Sequence, residues 1–234
     1  MTESLSYSEK LELAQLLEEK QNRIKYNQFD YWFPDAGPLR RDLYPKHMAF
    51  FDAGKEHRER LFMAGNRVGK TVAGGYEATS HLTGDYKPWW PGRRWDRPVK
   101  VLAAGDTRST TRDIIQEKLL GIYEDMGSGM IPRKRIFGNP SRVQGIPKAY
   151  EEVKIVSEFG GLSTLMLRSY DQGRKIFQGF EADIIWLDEE VPQDIYAEAL
   201  IRTMTTGGMV IMTFTPLQGL TPLVIDFMET AGLL

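Results

Sequence analysis

Short apolar runs that end in glycine, proline, hydroxyl or acid recur along the chain, and stretches of helical spacing separate them. Residues 61–64, 99–104, 153–157, 163–168, 184–187 and 209–214 each read as a strand. Several of these are apolar without a break, the pattern of strands buried on both faces of a parallel sheet. The spacing predicts helices over 69–82 and 109–124, and residues 103–107 close a strand with a capped turn into the second of them. Ahead of all the strands, residues 6–20 predict a helix: Ser6 or Ser8 is its cap, and Leu11, Leu13, Leu16 and Leu17 repeat near helical spacing. Proline-broken aromatic segments at 31–34 and 43–45 lead to a short helix near 47–52, while Gly127-Ser-Gly129 and Asn139-Pro140 mark loops. The expected architecture is α/β, a mainly parallel central sheet with helices on both faces, behind an N-terminal helical extension.

Composition narrows this little. The 234 residues suffice for one large domain with a real core. No stretch is long or apolar enough to span a bilayer, and no secretory signal opens the chain. The absence of cysteine excludes disulfides and thiolate metal sites, and the three histidines, at 47, 57 and 81, are scattered. A net charge of −2 means that any nucleic-acid contact must be local. Residues 89–100, which mix tryptophan with arginine, and the compact Arg133-Lys134-Arg135 are candidates, although a solvated loop is the plainer reading of each.

Chemistry enters at residues 61–71, where an apolar strand runs straight into Gly69-Lys70-Thr71. A loop of this kind wraps backbone N–H groups around anionic phosphates at a helix N-terminus. Lys70 would reach the β- and γ-phosphates and Thr71 would take one position on Mg²⁺. The first glycine of the standard pattern is replaced by Ala64. Either Ala64 opens a loop of standard length, Ala64-Gly65-Asn66-Arg67-Val68-Gly69-Lys70-Thr71, or Gly65 opens one shortened by a residue; the preceding strand favours the first. A second run, 182–190, ends in Asp188-Glu189-Glu190 at the carboxyl end of a buried strand, where ligands sit in open α/β sheets. Asp188 is suited to hold Mg²⁺ and Glu189 to activate a water against the γ-phosphate. A third run, 209–216, ends in Thr213 and Thr215 before a proline and is expected beside the Asp188 strand.

Together these segments resemble the ATPase domain of the large terminase subunit, the DNA-packaging motor of tailed bacteriophages. The resemblance covers 62–71, 169–179, 186–190, 195–203 and 213–217, and Tyr44-Pro-Lys-His47 is similar to that family's adenine-cradling segment, with His47 where glutamine is usual. It implies a P-loop NTPase of the additional-strand, catalytic-glutamate (RecA-like) type, using ATP and Mg²⁺ to move double-stranded DNA into a procapsid. Implied partners are a ring of like subunits, the portal and procapsid, and a small terminase subunit; no membrane is involved, and the setting is the host-cell cytoplasm. In that frame Tyr44 and His47 serve the base, Thr213 and Thr215 couple hydrolysis to movement, and Arg67 acts in cis on the γ-phosphate. Arg202, Arg108 and Arg112 are candidates to serve a neighbouring subunit, while Arg174 and Gln178 receive no chemistry. Residues 1–40 are expected as a helical lid or adapter and 41–234 as the ATPase domain. The family's nuclease domain is not expected here: Asp194, Glu198, Asp226 and Glu229 are too scattered for a two-metal site, and the apolar ending suggests truncation. The alternatives are a superfamily 2 helicase-type core, which would need a second set of motifs, a small-molecule kinase, which Glu189 disfavours, and a non-hydrolysing nucleotide-binding scaffold.

Overall fold

A computed structural model describes residues 6–217 and 219–233. In chain order its main elements are α1 (Tyr7–Lys25), α2 (Pro45–Asp52), β1 (Glu59–Met63), α3 (Lys70–Thr83), β2 (Lys100–Gly105), a composite helix α4 (108–120), β3 (Ile136–Arg142), β4 (Tyr150–Val156), β5 (Leu162–Ser169), β6 (Ile184–Asp188), α5 (Gln193–Met204), β7 (Met209–Phe214) and α6 (Pro222–Thr230). The strands form one sheet in the order β1-β7-β6-β2-β5-β4-β3. Five of them, from β1 to β5 across the sheet, run parallel; β4 and β3 are antiparallel additions at one edge. β7 lies between β1 and β6, with Asp188 paired in register to Thr213, so an extra strand separates the Gly-Lys-Thr strand from the Asp-Glu strand.

The period-two alternation of side chains sorts the apolar strands into two cores. Val101, Ala103, Ile184, Trp186 and Ile211 face one side with Ala73, Tyr76 and Leu82 of α3 and Ile115 and Leu119 of α4. Leu102, Ala104, Ile185, Leu187, Val210 and Met212 face the other with Ile195 and Ala199 of α5 and Leu223 and Val224 of α6. Every residue of β6 and β7 is buried, which explains their unbroken apolar runs. The seat of α3 on the sheet depends on Gly74: a Cβ there would lie 2.3 Å from the Trp186 ring.

Four local features depart from the sequence expectations. The helix expected to reach 124 stops at Leu120, where Gly121 takes φ 86°, and its middle, Thr111–Gln116, is a π-helix. Asn139-Pro140, read as a loop, lies inside strand β3, an exposed edge strand that pairs only with β4 and with register shifts. Helix α6 was not anticipated. The first helix runs to Lys25 rather than 20 and buries none of its residues, whereas Phe29 and Phe33, 2% and 1% exposed, pack into the core, Phe29 stacked on Tyr76 and Phe33 edge-on to Tyr76 and Phe51. Packing into the main core therefore begins near residue 29, ahead of the expected boundary at 40. No helix among the described residues is long and apolar enough to cross a membrane.

Candidate nucleotide site

β1 leaves the sheet at Met63, and the Ala64 amide still donates to the Phe214 carbonyl of β7 at 3.4 Å. The loop then turns through two left-handed residues, Arg67 at φ 61° and Gly69 at φ 87°. A non-glycine residue in that region is uncommon and costs energy, a feature that concentrates at functional sites. Gly69 caps α3, whose first residue is Lys70. The Lys70 side chain is buried, and its ammonium donates to the Gly65 carbonyl at 2.6 Å and to Thr215 Oγ1 at 2.8 Å. Thr215 Oγ1 in turn donates to Asn66 Oδ1 at 2.8 Å, closing the loop on the end of β7. Both partners of the ammonium are neutral oxygens, so its charge is left for an anion. Arg67 and Val68 are exposed beside it.

One helical residue on, Thr71 Oγ1 donates to the Asp188 carboxylate, 3.1 and 3.2 Å from its two oxygens. Thr213 Oγ1 donates to Asp188 Oδ1 at 2.6 Å and accepts from the Trp186 indole at 2.7 Å. Asp188 is 2% exposed. Burial pushes its pKa up to about 7; the nearby Glu189 charge adds to this, while hydroxyl donation from Thr213 and Thr71 and the Lys70 charge oppose it. A carboxylate held out of water by hydroxyls alone is a strong acceptor for a small hard cation. Among the described residues no three His, Cys, Asp or Glu side chains converge as a metal cage. A carboxylate and a hydroxyl suit Mg²⁺, which is bound by few protein oxygens together with substrate phosphates and water. Glu189 follows with an exposed side chain and φ 70°, and its amide donates to the Thr213 carbonyl at 3.0 Å.

The structure thus brings together Lys70, Thr71, Asp188, Thr213 and Thr215, which the sequence draws from three separate runs. Sequence reasoning missed Tyr170. Its hydroxyl, wholly buried, lies 2.9 Å from the Asp188 carbonyl, 3.2 Å from that of Ala104 and 3.4 Å from that of Glu189, bracing the turn that carries the acids. The nearest signal was its place in the family-like segment 169–179. Arg174 of that segment now has a partner: its Nε donates to the buried Glu198 of α5 at 2.7 Å.

Tyr44 and His47 line a cavity of about 1000 Å³ on the outer face of β1, together with Leu61, Met63, Val68 and the α6 residues Phe227 and Met228. His47 packs edge-on against Phe62 and Tyr44, and its Nε2 is 3.3 Å from the Gly69 carbonyl. Burial holds its pKa below the usual histidine value, so the ring is neutral at pH 7 and Nε2 carries the donated hydrogen. Of the further arginines, Arg202 pairs with Glu198 at 2.7 Å and Arg112 with Asp113 at 2.6 Å, whereas the Arg108 guanidinium has no hydrogen bond or ion pair among the described residues. The cluster 89–100 is committed internally: Trp90 and Trp95 are buried, Arg93 donates to the Gly207 carbonyl and Arg97 pairs with Asp183. Arg135 pairs with Glu158, leaving Arg133 and Lys134 exposed.

Comparison with known proteins bears on this geometry. Among solved structures, the large terminase of a thermophilic bacteriophage, in complex with ADP, superposes with a TM-score of 0.48 at 15% identity, covering 73% of this chain and 37% of that one. The large terminase subunit of Salmonella phage P22 is 33% identical over 248 residues, covering 97% of this chain and 48% of the relative, so the chain spans about half the length of the relative it matches. A family model for the terminase large subunit, T4-like-virus type, N-terminal, matches residues 61–232. On the strength of that match and of the phage P22 relative, the chain belongs to the terminase large-subunit family.

Proposed function

We propose that this chain is the ATP-hydrolysing part of a motor that drives double-stranded viral DNA into a procapsid. The observation that carries the reading is the convergence of Lys70 and Thr71, at the start of α3, on Asp188 and on the two threonines that end β7. Loop residues 64–71 would cradle the phosphates with backbone amides, and Lys70 would exchange its neutral partners for the β- and γ-phosphate oxygens. Thr71 and Asp188 would hold Mg²⁺, which when bound supplies positive charge to those oxygens. Glu189 accepts the proton of the attacking water, and its exposed side chain beside Asp188 suits that role. Arg67, exposed in the loop, stabilises charge developing on the γ-phosphate. The base lies in the cavity bounded by Tyr44 and His47. Because Thr215 touches both Lys70 and Asn66, a phosphate that takes Lys70 away frees the end of β7, and Thr213 and Thr215 pass that change toward α6. A ring of like subunits, the portal and procapsid, and a small subunit complete the motor in the host cytoplasm.

The test is Mg²⁺-dependent phosphate release from ATP by the purified chain beside Lys70→Ala and Glu189→Gln. Turnover that both substitutions abolish, with Glu189→Gln still binding ATP, supports the reading. Binding without turnover in the unmodified chain, at protein concentrations high enough for ring assembly, favours a non-hydrolysing scaffold instead.

A further inference from the structure

The carboxyl edge of the sheet that carries Lys70 and Asp188 opens a second cleft, of about 170 Å³, near the ends of β2 and β5. Arg108, Gln144, Arg168 and Gln172 supply its polar lining, and Glu151 is its one carboxylate among the described residues. Two guanidiniums and two amides against a single acid make a hole for an anion.

The two arginines are differently held. Arg168, on β5, donates from Nη1 to the Glu151 and Leu167 carbonyls at 3.1 and 2.9 Å, and its Nη2 lies 3.5 Å from Glu151 Oε1. Its Nε is fully enclosed and has no partner. Arg108 opens α4 and is half-exposed, its guanidinium unengaged among the described residues. Burial lowers the pKa of Arg168, Glu151 and Glu152 oppose that, and the Arg108 charge lowers it further. An anion bound between the two guanidiniums would relieve that repulsion. The cleft is too small for a nucleoside and polar enough for a phosphate group. Two residues past Arg168 on the same strand end, the Tyr170 hydroxyl contacts the Asp188 and Glu189 carbonyls.

We propose that this cleft takes one backbone phosphate of nucleic acid, held by Arg108 and Arg168, on the same sheet edge as the ATP site. The DNA-translocating reading above identifies the polymer; the cleft itself stands on the arginine geometry. The experiment is binding of a fluorescein-labelled duplex of about 30 base pairs by the whole chain, followed by anisotropy across a salt series, so that the log-log slope counts neutralised phosphates. Arg108→Gln is expected to weaken binding about tenfold, the worth of one charged hydrogen bond, and to reduce the slope by about one. Gln144→Glu, an exposed position where a side chain of similar size brings in a negative charge, is expected to weaken binding at least as much. Unchanged affinity and slope in both variants would overturn the proposal. A second arm separates a backbone phosphate from a free one: inorganic phosphate that raises the melting temperature of the unmodified chain but not of Arg108→Gln, with DNA slopes unchanged, also overturns it. A chain that releases phosphate from ATP yet fails to bind the duplex sinks this inference and leaves the hydrolysis reading standing. One that binds the duplex with the expected slopes but never turns over sinks the hydrolysis reading and leaves this one standing.

Discussion

Two carboxylates on this fold are equally deep and behave oppositely. Glu77, on α3, is fully buried beneath the sheet's first face, and Asp188, at the end of β6, is 2% exposed. Burial pushes both pKa values up. At Glu77 the Arg60 charge and hydrogen bonds from Nη1 and Nη2 of its guanidinium, joined by His81 at 3.4 Å, outweigh that effect and hold the group below the usual carboxylate range. At Asp188 only the Thr71 and Thr213 hydroxyls and a more distant Lys70 oppose burial, and the pKa stays near 7. One acid therefore has its cation built into the chain and fastens α3 to β1; the other has donors but no cation within bonding distance. A buried ion pair is weak evidence of net stability, but breaking one is costly. A buried acid left short of positive charge is a mark of a binding site. The pair thus sets a charge neutralised within the chain against one that, on the proposed reading, awaits its cation.

Substitution should split them first and most widely. Asp188→Asn keeps the shape and removes the charge that would hold Mg²⁺; phosphate release is expected to fall by about 10³-fold, the scale of losing one preorganised electrostatic contact. The apo chain is expected to keep or raise its unfolding midpoint at pH 8, because a carboxylate that is costly to ionise there has gone. Glu77→Gln should do the reverse: a loss of about 3 kcal/mol in denaturant unfolding, because Arg60 is left buried without its partner. Nucleotide affinity, measured at a temperature where that variant is still folded, should stay within a few-fold. If Asp188→Asn destabilises as much as Glu77→Gln, the contrast between the two acids fails.

A smaller change probes what holds the ionisable acid in place. Thr213→Val removes a hydroxyl that donates to Asp188 and accepts from Trp186, leaving the buried indole N–H without its acceptor. The expected cost is about 1–2 kcal/mol of stability. Mg²⁺-dependent ATP binding should weaken as well, because the carboxylate loses a donor that favours its charged form. Isothermal titration with and without Mg²⁺ checks this, and unchanged Mg²⁺ dependence would mean that Thr213 supports the strand and not the acid.

The split between the two acids also marks what the sequence could reveal. The buried strands were legible because burial on both faces leaves an unbroken apolar run, and the site was legible because Gly-Lys-Thr, Asp-Glu and the threonine pair are local signals at strand ends. Their convergence follows once the strands are parallel, since all their carboxyl ends then share one edge. Strand β3 was not legible: it contains Asn139 and Pro140, which read as a loop, and pairing with β4 makes it extended. Phe33 read as part of a proline-broken aromatic segment and Phe29 carried no signal, and the burial of both depends on a pocket formed by distant residues. Arg60, Glu77 and Tyr170 escaped notice for the same reason, as nothing local shows which partner a lone polar residue will meet. Ala64 in the glycine position illustrates the opposite case, where a departure from pattern left the loop's start at the end of β1.

The subtlest test uses pH. The folded pKa of Asp188, about 7, lies above its ordinary value of 3.8. The folded state therefore binds a proton that the unfolded state lacks between those values, and stability from this group is fully present below the lower value and lost as pH rises through the upper one. Moving the apo chain from pH 7.5 to 6 should gain about 1 kcal/mol from Asp188. Burial lowers the pKa values of His47 and His81, so acidification costs stability at those positions and opposes the gain. The quantity to measure is accordingly the difference between the unmodified chain and Asp188→Asn, in urea unfolding at both pH values, which cancels the histidines. Saturating Mg²⁺ with a non-hydrolysable ATP analogue should remove that difference, because a cation on the carboxylate drives its proton off. A difference that survives the ligand would place the proton elsewhere and separate Asp188 from the metal role that its contrast with Glu77 assigns to it.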